Sequence, residues 1–257
     1  MRAIIIGAGR GSRLQHETDE IPKTLVHFSG RPMLEWILEA LAPSGITRHD
    51  IVFICGYKSH VIKNRYPEFT YVENTNWENN NILLSLMYAR ESFDEDFVVS
   101  YADIIYRPEI VQRVIASPHD IVLGCDTDWR RRYIGRSKHP ESDGEKLRAD
   151  GDRVVEISRR IPAELASGEF IGVAKITKAG AHKMTDAFDR AATVYAGKEY
   201  REGRAFEKAY LIDHFAHMMS EVTEIHRADI HGGYMELDTL QDLAYAEKWW
   251  AGYQAGA

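Results

Sequence analysis

A glycine-rich segment near the N-terminus, GAGRGSRL at residues 7–14, has the composition of a phosphate-binding loop. Glycine has no Cβ, so its backbone N–H group can approach phosphate oxygens closely. Two basic residues accompany the loop, Arg13 at its end and Lys23 in the sequence IPKTLV. Arginine can bind phosphate with two parallel hydrogen bonds, and lysine supplies a compact positive charge. The pattern favours a phosphate site over a simple tight turn.

Two common phosphate loops fit this segment less well. A dinucleotide-binding loop has the spacing G-x-G-x-x-G and an acidic residue at the end of the second strand. Here the spacing is G-x-G-x-G, and the second long strand ends at Cys55-Gly56 with no acid. A Walker loop requires G-K-[ST] after four intervening residues, and the segment has none. An NAD-dependent oxidoreductase and a P-loop NTPase are therefore disfavoured.

The segments AGRGSRL and IPKTL resemble the signature of the nucleotidyltransferases that make sugar nucleotides and CDP-alcohols. That signature is A-A-G-x-G-S-R-L followed by P-K, and Gly7 stands where alanine is usual. Further segments resemble the phosphocholine cytidylyltransferase-like branch in the expected order, so the resemblance covers nearly the whole chain. They are NWENNNILLSL (76–86), DTDWRRRYIGR (126–136), GEFIGVAKI (168–176) and MELDTLQD (235–242).

The resemblance implies roles for the residues of the loop. In a phosphoryl-transfer site, Lys23 would neutralise charge on the α-phosphate and on the incoming phosphate, and Arg13 would hold the β- and γ-phosphates. These two are the expected catalytic residues. The residues expected to contact the nucleotide phosphates are Ala8, Gly9, Gly11, Ser12 and Arg13.

Two aspartates are candidate metal ligands. Asp103 follows the apolar run FVVS, and Asp238 lies in ELD before the last predicted helix. Taken alone, Asp103 could be a turn residue and Asp238 a helix N-cap. The resemblance implies that both bind Mg²⁺, the expected cofactor. The His and Cys spacing shows no zinc motif, and H-E-x-x-H is absent from the sequence.

The segment 74–81 is rich in asparagine, whose amide groups can both donate to and accept from a nucleotide base. The resemblance places this segment and the Gly56-Tyr57 turn near the base and ribose. A polar turn with a helix cap is the alternative for the same residues. No residue distinguishes cytosine from uracil or thymine. The predicted contacts are Tyr57, Asn80, Asn81 and Ser85.

The acceptor substrate is expected to meet the segment that follows residue 126. Trp129 and Tyr133 flank three arginines, and aromatic faces attract ammonium groups. Taken singly, each aromatic is more often a packing residue than a ligand contact, and the arginines are often a solvated loop. Arg136 or Lys146 could contact the acceptor's phosphate. The full set of candidate substrate contacts is Trp129, Tyr133, Arg136, Lys146, Glu169, Asp213 and Glu236.

Alternating apolar runs and helical patterns must position these groups. Strands are predicted at 3–6, 51–55, 69–72, 97–100 and 120–123, and helices from Pro32 and at 59–65, 82–90 and 108–115. This alternation predicts an α/β, Rossmann-like, mainly parallel sheet sandwiched by helices. The resemblance implies the nucleotide-diphospho-sugar transferase type of this fold.

The pattern changes after residue 126. Strands 153–158 and 170–176 are predicted to face one another in a small β elaboration on the substrate side. Helices at 179–191 and 206–219, a strand at 222–226 and a helix at 240–250 complete the prediction. We expect one domain over 1–257, with a nucleotide-binding half (1–125) and an acceptor-binding half (126–257).

Composition limits the other classes of function. The net charge is 32 − 39 = −7, which argues against a nucleic-acid-binding protein. No apolar run is long enough to span a membrane. Cys55 and Cys125 end apolar runs and are expected to be buried thiols in a reducing compartment, so a cytoplasmic location is predicted. A homodimer is possible, but Trp249-Trp250 is more simply explained by packing of the last helix.

The sequence thus predicts a Mg²⁺-dependent cytidylyltransferase. It would transfer CMP from CTP to a small phosphorylated or phosphonate amino-alcohol, of the phosphocholine or 2-aminoethylphosphonate type, and release pyrophosphate. A sugar-1-phosphate nucleotidyltransferase that uses UTP, dTTP or CTP is the alternative within the family. A non-catalytic nucleotide sensor is the alternative from another class.

Overall fold

The elements of the fold are taken from a computed structural model, which describes residues 1–221 and 223–254. The strands are β1 (Arg2–Ile6), β2 (His27–Phe28), β3 (Arg31–Pro32), β4 (Ile51–Cys55), β5 (Thr70–Glu73), β6 (Phe97–Tyr101), β7 (Ile104–Tyr106), β8 (Ile121–Asp126), β9 (Lys146–Asp150), β10 (Arg153–Ile157), β11 (Gly168–Ile176), β12 (His226–Ile230) and β13 (Tyr234–Glu236). The helices are α1 (Met33–Leu41), α2 (Ser59–Arg65), α3 (Ile82–Tyr88), α4 (Pro108–Ala116), α5 (Lys178–Tyr195), α6 (Leu211–Ser220) and α7 (Leu240–Gln254). Among the described residues, no helix combines the length and the apolar composition that crossing a bilayer requires.

Nine of the described strands form one sheet in the order β5-β4-β1-β6-β11-β8-β12-β10-β9. The strands β5, β4, β1 and β6 pair in parallel, as do β8 and β12. The long strand β11 lies antiparallel between β6 and β8. The sheet therefore takes strands from both predicted halves of the chain. Its second half is mixed rather than parallel.

Side chains of β1 alternate between two apolar layers. Ile4 and Ile6 belong to a buried cluster with residues of α3, α5 and α6, whereas Ala3 and Ile5 pack with residues of α1, α2 and α4. Successive side chains of a strand point to opposite faces, so an apolar strand needs cover on both sides. The predicted Rossmann-like sheet between two helical layers is confirmed.

The predicted pairing of strands 153–158 and 170–176 is wrong. β10 pairs with β9 and β12, whereas β11 pairs with β6, β8 and β9. The sequence of β9, KLRAD, is largely polar and predicts no strand, yet it supplies the antiparallel partner of β10. The elaboration is therefore built around a strand that has no apolar signal of its own.

The predicted strand 222–226 begins later, at His226, and runs to Ile230. Its sequence, HRADI, lacks the apolar run that predicts a strand. Ile225, an apolar residue within the predicted range, is fully buried in the core just before the strand. Val222 lies outside the described residues.

The predicted helix 206–219 also begins later, at Leu211. A 3₁₀ turn at Phe206–Lys208 precedes it. The backbone N–H of Tyr210 then donates to Asp213 Oδ2 at 2.8 Å. The Asp213 carboxylate thus satisfies a backbone N–H at the N-terminus of α6, so the helix begins at this point.

Two expectations about single residues hold. Cys55 and Cys125 are buried free thiols. Trp250 packs edge to face against Phe28 and Trp36, with ring centroids 6.2 and 5.6 Å away. Packing of the last helix against the loop region of the N-terminal half accounts for this tryptophan.

His214 on α6 predicts how stability depends on pH. The ring is fully buried, its Nε2 lies 2.9 Å from the Met184 carbonyl oxygen, and burial lowers its pKa to about 4. The unfolded chain binds this proton near pH 6.5, so stability falls as pH drops from 6.5 towards 4. Between pH 7 and 4.5, the free energy of unfolding should fall by about 2 kcal/mol less in His214→Gln than in the wild type, measured by urea unfolding. The exposed control His60→Gln should keep the wild-type dependence; an unchanged dependence in His214→Gln would contradict the assignment.

Candidate active site

A cavity of about 230 Å³ opens beside the glycine-rich loop, where β1 and β6 end. Sheets of this class bind ligands at the carboxyl ends of their parallel strands. Most residues predicted for the phosphates and the metal meet here, and Ala8 is buried just beside them. The lining residues are Ile6, Gly7, Gly9, Gly11, Ser12, Arg13, Lys23, Thr24, Ala102, Asp103 and Asp238.

Two glycines of the loop are required by their surroundings. Gly11 has a φ of 70°, and a Cβ there would lie 2.6 Å from Lys23 Cδ. A Cβ on Gly7 would lie 2.4 Å from Phe53 Cζ. Gly11 thus lets the stem of Lys23 lie against the loop. Phe53 explains why glycine replaces the usual alanine at position 7.

The ammonium group of Lys23 lies between the two predicted metal ligands. Nζ donates to Asp103 Oδ2 at 2.9 Å and to Asp238 Oδ1. Burial by itself would lower the pKa of Lys23, but the two carboxylates outweigh it and raise this pKa. Lys23 is therefore held charged at the edge of the phosphate cavity.

A two-stranded ribbon of β7 and β13 brings the two aspartates together. Ile104 pairs with Glu236 across the ribbon, and the N–H of Leu237 donates to the carbonyl oxygen of Asp103 at 2.9 Å. Asp103 directly precedes β7, and Asp238 follows β13 by two positions. The register of the ribbon therefore sets the separation of the two carboxylates.

Asp238 is not the cap of the last helix. Thr239 N–H donates to Asp242 Oδ2 at 2.8 Å, and Asp242 N–H donates to Thr239 Oγ1 at 3.2 Å, which forms a capping box. The carboxylate of Asp238 instead pairs with Lys23 and, at 2.5 Å, with Arg13 Nη2. Although burial would raise the pKa of Asp238, these two cations hold it well below its usual range.

His139 belongs to the site, but the sequence analysis does not predict it. Its buried ring lies 3.2 Å from Glu236 Oε2 and 3.8 Å from Asp238 Oδ2. Burial would lower the pKa of His139, but Asp242 and Glu236 raise it to about 9. Burial and the charge of Asp238 raise the pKa of Glu236 to about 7. A protonated His139 thus offsets the negative charge of these crowded carboxylates. No residue spacing in the polar loop 126–146 indicates that His139 belongs to the site.

The donor set is suited to Mg²⁺. Asp103 and Asp238 converge on one cation, the Nζ of Lys23. Mg²⁺ prefers oxygen ligands and usually combines one or two carboxylates with substrate phosphates and water. Two carboxylates that face a phosphate-loop cavity match this preference.

The amides predicted for the base are largely engaged with one another. Asn74 Nδ2 donates to Asn80 Oδ1 and to Ser85 Oγ, both at 2.9 Å, and Asn80 Nδ2 donates back to Asn74 Oδ1 at 3.0 Å. Asn81 caps α3 by accepting from Ile82 N–H at 2.9 Å. The cap alternative is thus confirmed for Asn81. Direct contacts of Asn80 and Ser85 with a base stay predictions.

Tyr57 stands beside the glycine-rich loop. Its N–H donates to the Ala8 carbonyl at 2.8 Å, and its hydroxyl donates to the Thr18 carbonyl at 2.9 Å. The ring contacts Trp77 edge to face, with centroids 5.5 Å apart. Both rings are partly exposed. Trp77 therefore extends the aromatic surface next to the loop, which the sequence analysis does not single out.

Three of the predicted acceptor contacts form a buried network around Arg132. The guanidinium donates to Asp126 Oδ2 at 2.9 Å and to Glu169 Oε2. The Tyr133 hydroxyl donates to Glu169 Oε1 at 2.5 Å, and Trp129 packs edge to face on Tyr133. Because Arg132 neutralises Glu169 and both rings are buried, the geometry favours the packing alternative for the two aromatics.

Three further predicted acceptor contacts already have partners within the chain. Arg136 Nε donates to Asp242 Oδ1 at 2.9 Å, Lys146 Nζ donates to the Gly144 carbonyl at 3.3 Å, and Asp213 caps α6. All three are buried. None of them is among the residues lining the described phosphate cavity. Their direct contacts with an acceptor stay predictions.

Glu145 is a buried carboxyl group that the sequence does not predict for the site. It accepts from the Tyr101 hydroxyl at 3.1 Å and lies 3.7 Å from Arg159. Burial and the charge of Glu236 raise its pKa to about 8, against the opposing effect of Arg159. Because Tyr101 ends β6, Glu145 lies on the same edge of the sheet as Asp103. Acidic groups thus continue from Asp103 and Asp238, the predicted metal ligands, through Glu236 to Glu145.

The buried pair of Arg136 and Asp242 predicts a loss of stability. Asp242→Asn would leave the guanidinium unpaired and weaken the cap of α7. We expect the free energy of unfolding to fall by about 3–5 kcal/mol, measured by urea unfolding. The exposed pair of Asp189 with Arg90 is the control, and Asp189→Asn should cost at most about 1 kcal/mol. A loss in Asp242→Asn no larger than this would contradict the role given to the pair.

Residues 3–161 match the sequence model of the MobA-like NTP transferase domain. The chain belongs to the MobA-like NTP transferase family. It is therefore a nucleotidyltransferase, as its loop, lysine and paired aspartates predict.

Relatives in this family are similar over much of their length. The CTP:phosphoglutamine cytidylyltransferase of Campylobacter jejuni is 25% identical over 253 residues, which are 95% of this chain and 98% of that protein. The choline-phosphate cytidylyltransferase of Streptococcus pneumoniae is 31% identical over 134 residues, 50% of this chain and 57% of that protein. The solved structure of CTP:phosphocholine cytidylyltransferase from the same organism matches with a TM-score of 0.68 at 20% identity, covering 97% of this chain and 98% of that one. This likeness supports the nucleotidyltransferase fold.

Proposed function

We propose that this nucleotidyltransferase moves CMP from CTP to a small acceptor that carries a phosphate or phosphonate and an ammonium group. Pyrophosphate is the other product. The observation that carries the proposal is the placement of Lys23 Nζ between Asp103 and Asp238 beside the glycine-rich loop. Two relatives support the choice of substrates, since both are named as cytidylyltransferases of a phosphorylated, nitrogen-containing acceptor.

The residues of the cavity account for the transfer without a covalent enzyme intermediate. An oxygen of the acceptor's phosphate forms a bond to the α-phosphorus as the bond to the bridging oxygen breaks, and that electron pair leaves with pyrophosphate. Lys23 offsets the charge on the α-phosphate and the attacking group. Arg13, half-exposed at the cavity, holds the departing phosphates together with the loop N–H groups. Catalysis is thus positioning and electrostatic stabilisation.

Magnesium is part of the proposal. Asp103 and Asp238 would hold the ion, which when bound offsets the negative charge of the triphosphate. His139 and Arg13 balance the charge of Asp238 and so keep its carboxylate in place.

The acidic groups of the site favour a cationic acceptor over a neutral sugar. Glu236 and Glu145 both have raised pKa values because they are buried near other carboxylates. A positive charge close to either group would stabilise its ionised form. A hexose 1-phosphate supplies no such charge.

A pyrophosphate-release assay with Mg²⁺ tests the proposed function. Each of CTP, UTP, dTTP and ATP is combined with phosphocholine, 2-aminoethylphosphonate, phosphoethanolamine or glucose 1-phosphate. We expect turnover only with CTP. Among the acceptors, turnover should be fastest with one that carries an ammonium group. Turnover with UTP or dTTP and glucose 1-phosphate, without activity on the amines, would establish the sugar-1-phosphate alternative instead.

Glu145→Gln should affect the acceptor and not the nucleotide. Removing this carboxylate is expected to raise the KM for phosphoethanolamine about tenfold, about 1.4 kcal/mol, since one attraction to the ammonium is lost. The KM for CTP should stay unchanged. The KM for 2-hydroxyethyl phosphate, which has a hydroxyl in place of the ammonium group, should change little in Glu145→Gln. The exposed control Glu164→Gln should behave as wild type. Equal losses on the charged and neutral acceptors would contradict the ammonium contact.

A further inference from the structure

Three side chains with metal-binding atoms meet on the edge of the sheet opposite the phosphate cavity. His119 precedes β8, Asp152 lies in the turn between β9 and β10, and His226 begins β12. The cavity lies where β1 and β6 end, whereas His119 and His226 lie where β8 and β12 begin. His226 pairs in register with Val122 of β8. The cluster is therefore remote from the transfer site.

The geometry of the cluster brings one ligand atom of each residue within 4.8 Å of the others. His119 Nε2 lies 3.2 Å from Asp152 Oδ2. The two imidazole rings stack with centroids 3.4 Å apart and planes 5° from parallel. His226 is 93% buried, and its Nδ1 has no hydrogen-bond partner among the described residues. A buried nitrogen without a partner costs free energy unless another group satisfies it.

We propose that His119, Asp152 and His226 bind a divalent transition-metal ion of the Zn²⁺ class. Two imidazole nitrogens and one carboxylate oxygen are a common zinc donor set, with water completing the coordination. This set differs from the oxygen donors of Asp103 and Asp238, so the two sites select different ions.

The surroundings allow such an ion to enter and bind. Both histidines line an open surface cleft, through which an ion and its water ligands can reach them. Lys183 in the same cleft is paired with Asp120 at 2.7 Å, which reduces its repulsion of a cation.

The position of the site indicates which segments a bound ion would connect. The ion would join the start of β8, the turn between β9 and β10, and the start of β12. These elements carry the strands of the acceptor half into the main sheet. Because the three ligands come from distant positions in the chain, no local spacing reveals them, which is why the sequence shows no zinc motif.

Metal analysis of the full chain tests this proposal. Protein stripped with EDTA is dialysed against Zn²⁺, and bound zinc is measured by mass spectrometry. We expect the wild type to bind one equivalent more than His119→Ala, Asp152→Asn or His226→Ala. His60→Ala, which alters an exposed histidine of α2, should bind as the wild type does. At a Zn²⁺ concentration about 100 times Kd, the Tm of the wild type should rise by roughly 5–10 °C, and that of the three variants should not.

Co²⁺ provides a second readout that does not depend on enzyme activity. Its visible absorption should show nitrogen and oxygen ligands in the wild type and in His60→Ala, and should be lost in the three variants. His119 and Asp152 are partly exposed, so His119→Ala and Asp152→Asn keep the test valid if His226→Ala fails to fold. The same zinc content, Co²⁺ spectrum and Tm response in the wild type and in these two variants would overturn the proposal.

Discussion

Lys23→Met is expected to reduce pyrophosphate release about 10²–10³-fold, which is the usual cost of removing one preorganised group that stabilises developing charge. Methionine keeps the apolar stem that lies against Gly11 but removes the ammonium between Asp103 and Asp238. The loss should fall on kcat more than on the KM for CTP, because the lysine acts on charge at the reacting phosphorus. Steady-state kinetics with saturating Mg²⁺ measure it.

The matched control for this variant is Lys63→Met. Lys63 forms an exposed ion pair with Glu73 on the surface and should keep full activity when replaced. Circular dichroism and Tm verify that both variants are folded. A folded Lys23→Met variant that turns over within a few-fold of the wild type would contradict the role of Lys23.

Asp103→Asn is expected to lower activity by a similar factor, about 10²–10³-fold, but for a different reason. The amide keeps the shape of the carboxylate and loses the charge that would hold Mg²⁺. Raising the Mg²⁺ concentration should therefore recover part of the activity of Asp103→Asn and none of the activity of Lys23→Met. The carboxylate of Asp103 is about one-third exposed, so the Tm should change little.

Asp186→Asn controls for the removal of one negative charge, since Asp186 lies exposed on α5. It should show the wild-type dependence on Mg²⁺. An unchanged Mg²⁺ dependence in Asp103→Asn would contradict the assignment of Asp103 as a Mg²⁺ ligand, whatever activity the variant retains.

The first half of the fold is predictable because β1, β4 and β6 are short apolar runs that are largely buried on both faces. Ile51–Cys55 appears in the structure with the predicted bounds. The second half is less predictable because β9 and β12 are polar strands whose positions depend on pairing rather than on composition. The ribbon of β7 and β13 has three residues per strand, too few for any periodic pattern.

The phosphate side of the site could be predicted because its residues lie in one continuous motif. Arg13 and Lys23 are near one another in the sequence, and the glycines mark the loop. His139 and Glu145 could not be predicted, since each belongs to a polar loop and gains its environment from residues that are distant in the sequence. The signal for Asp242 was present in TLQD, which is a capping-box pattern.

The acceptor side shows the limit of arguments from residue type. An aromatic pair next to arginines fits both an ammonium-binding site and a packed support, and burial of both rings favours the packed support. Trp129 and Tyr133 are buried, and Arg132 neutralises Glu169. The carboxyl groups that remain crowded are Glu236 and Glu145, which only the fold brings together.

The measurement that tests the central claim most directly is identification of the product. The purified chain is incubated with CTP, Mg²⁺ and either phosphocholine or 2-aminoethylphosphonate, and ³¹P NMR follows the phosphorus signals. We predict a new pair of coupled resonances from a phosphorus–oxygen–phosphorus linkage between CMP and the acceptor, formed in step with pyrophosphate. Pyrophosphate or phosphate released with CMP alone, or no change in CTP in the presence of any ammonium-bearing acceptor, would contradict cytidylyl transfer.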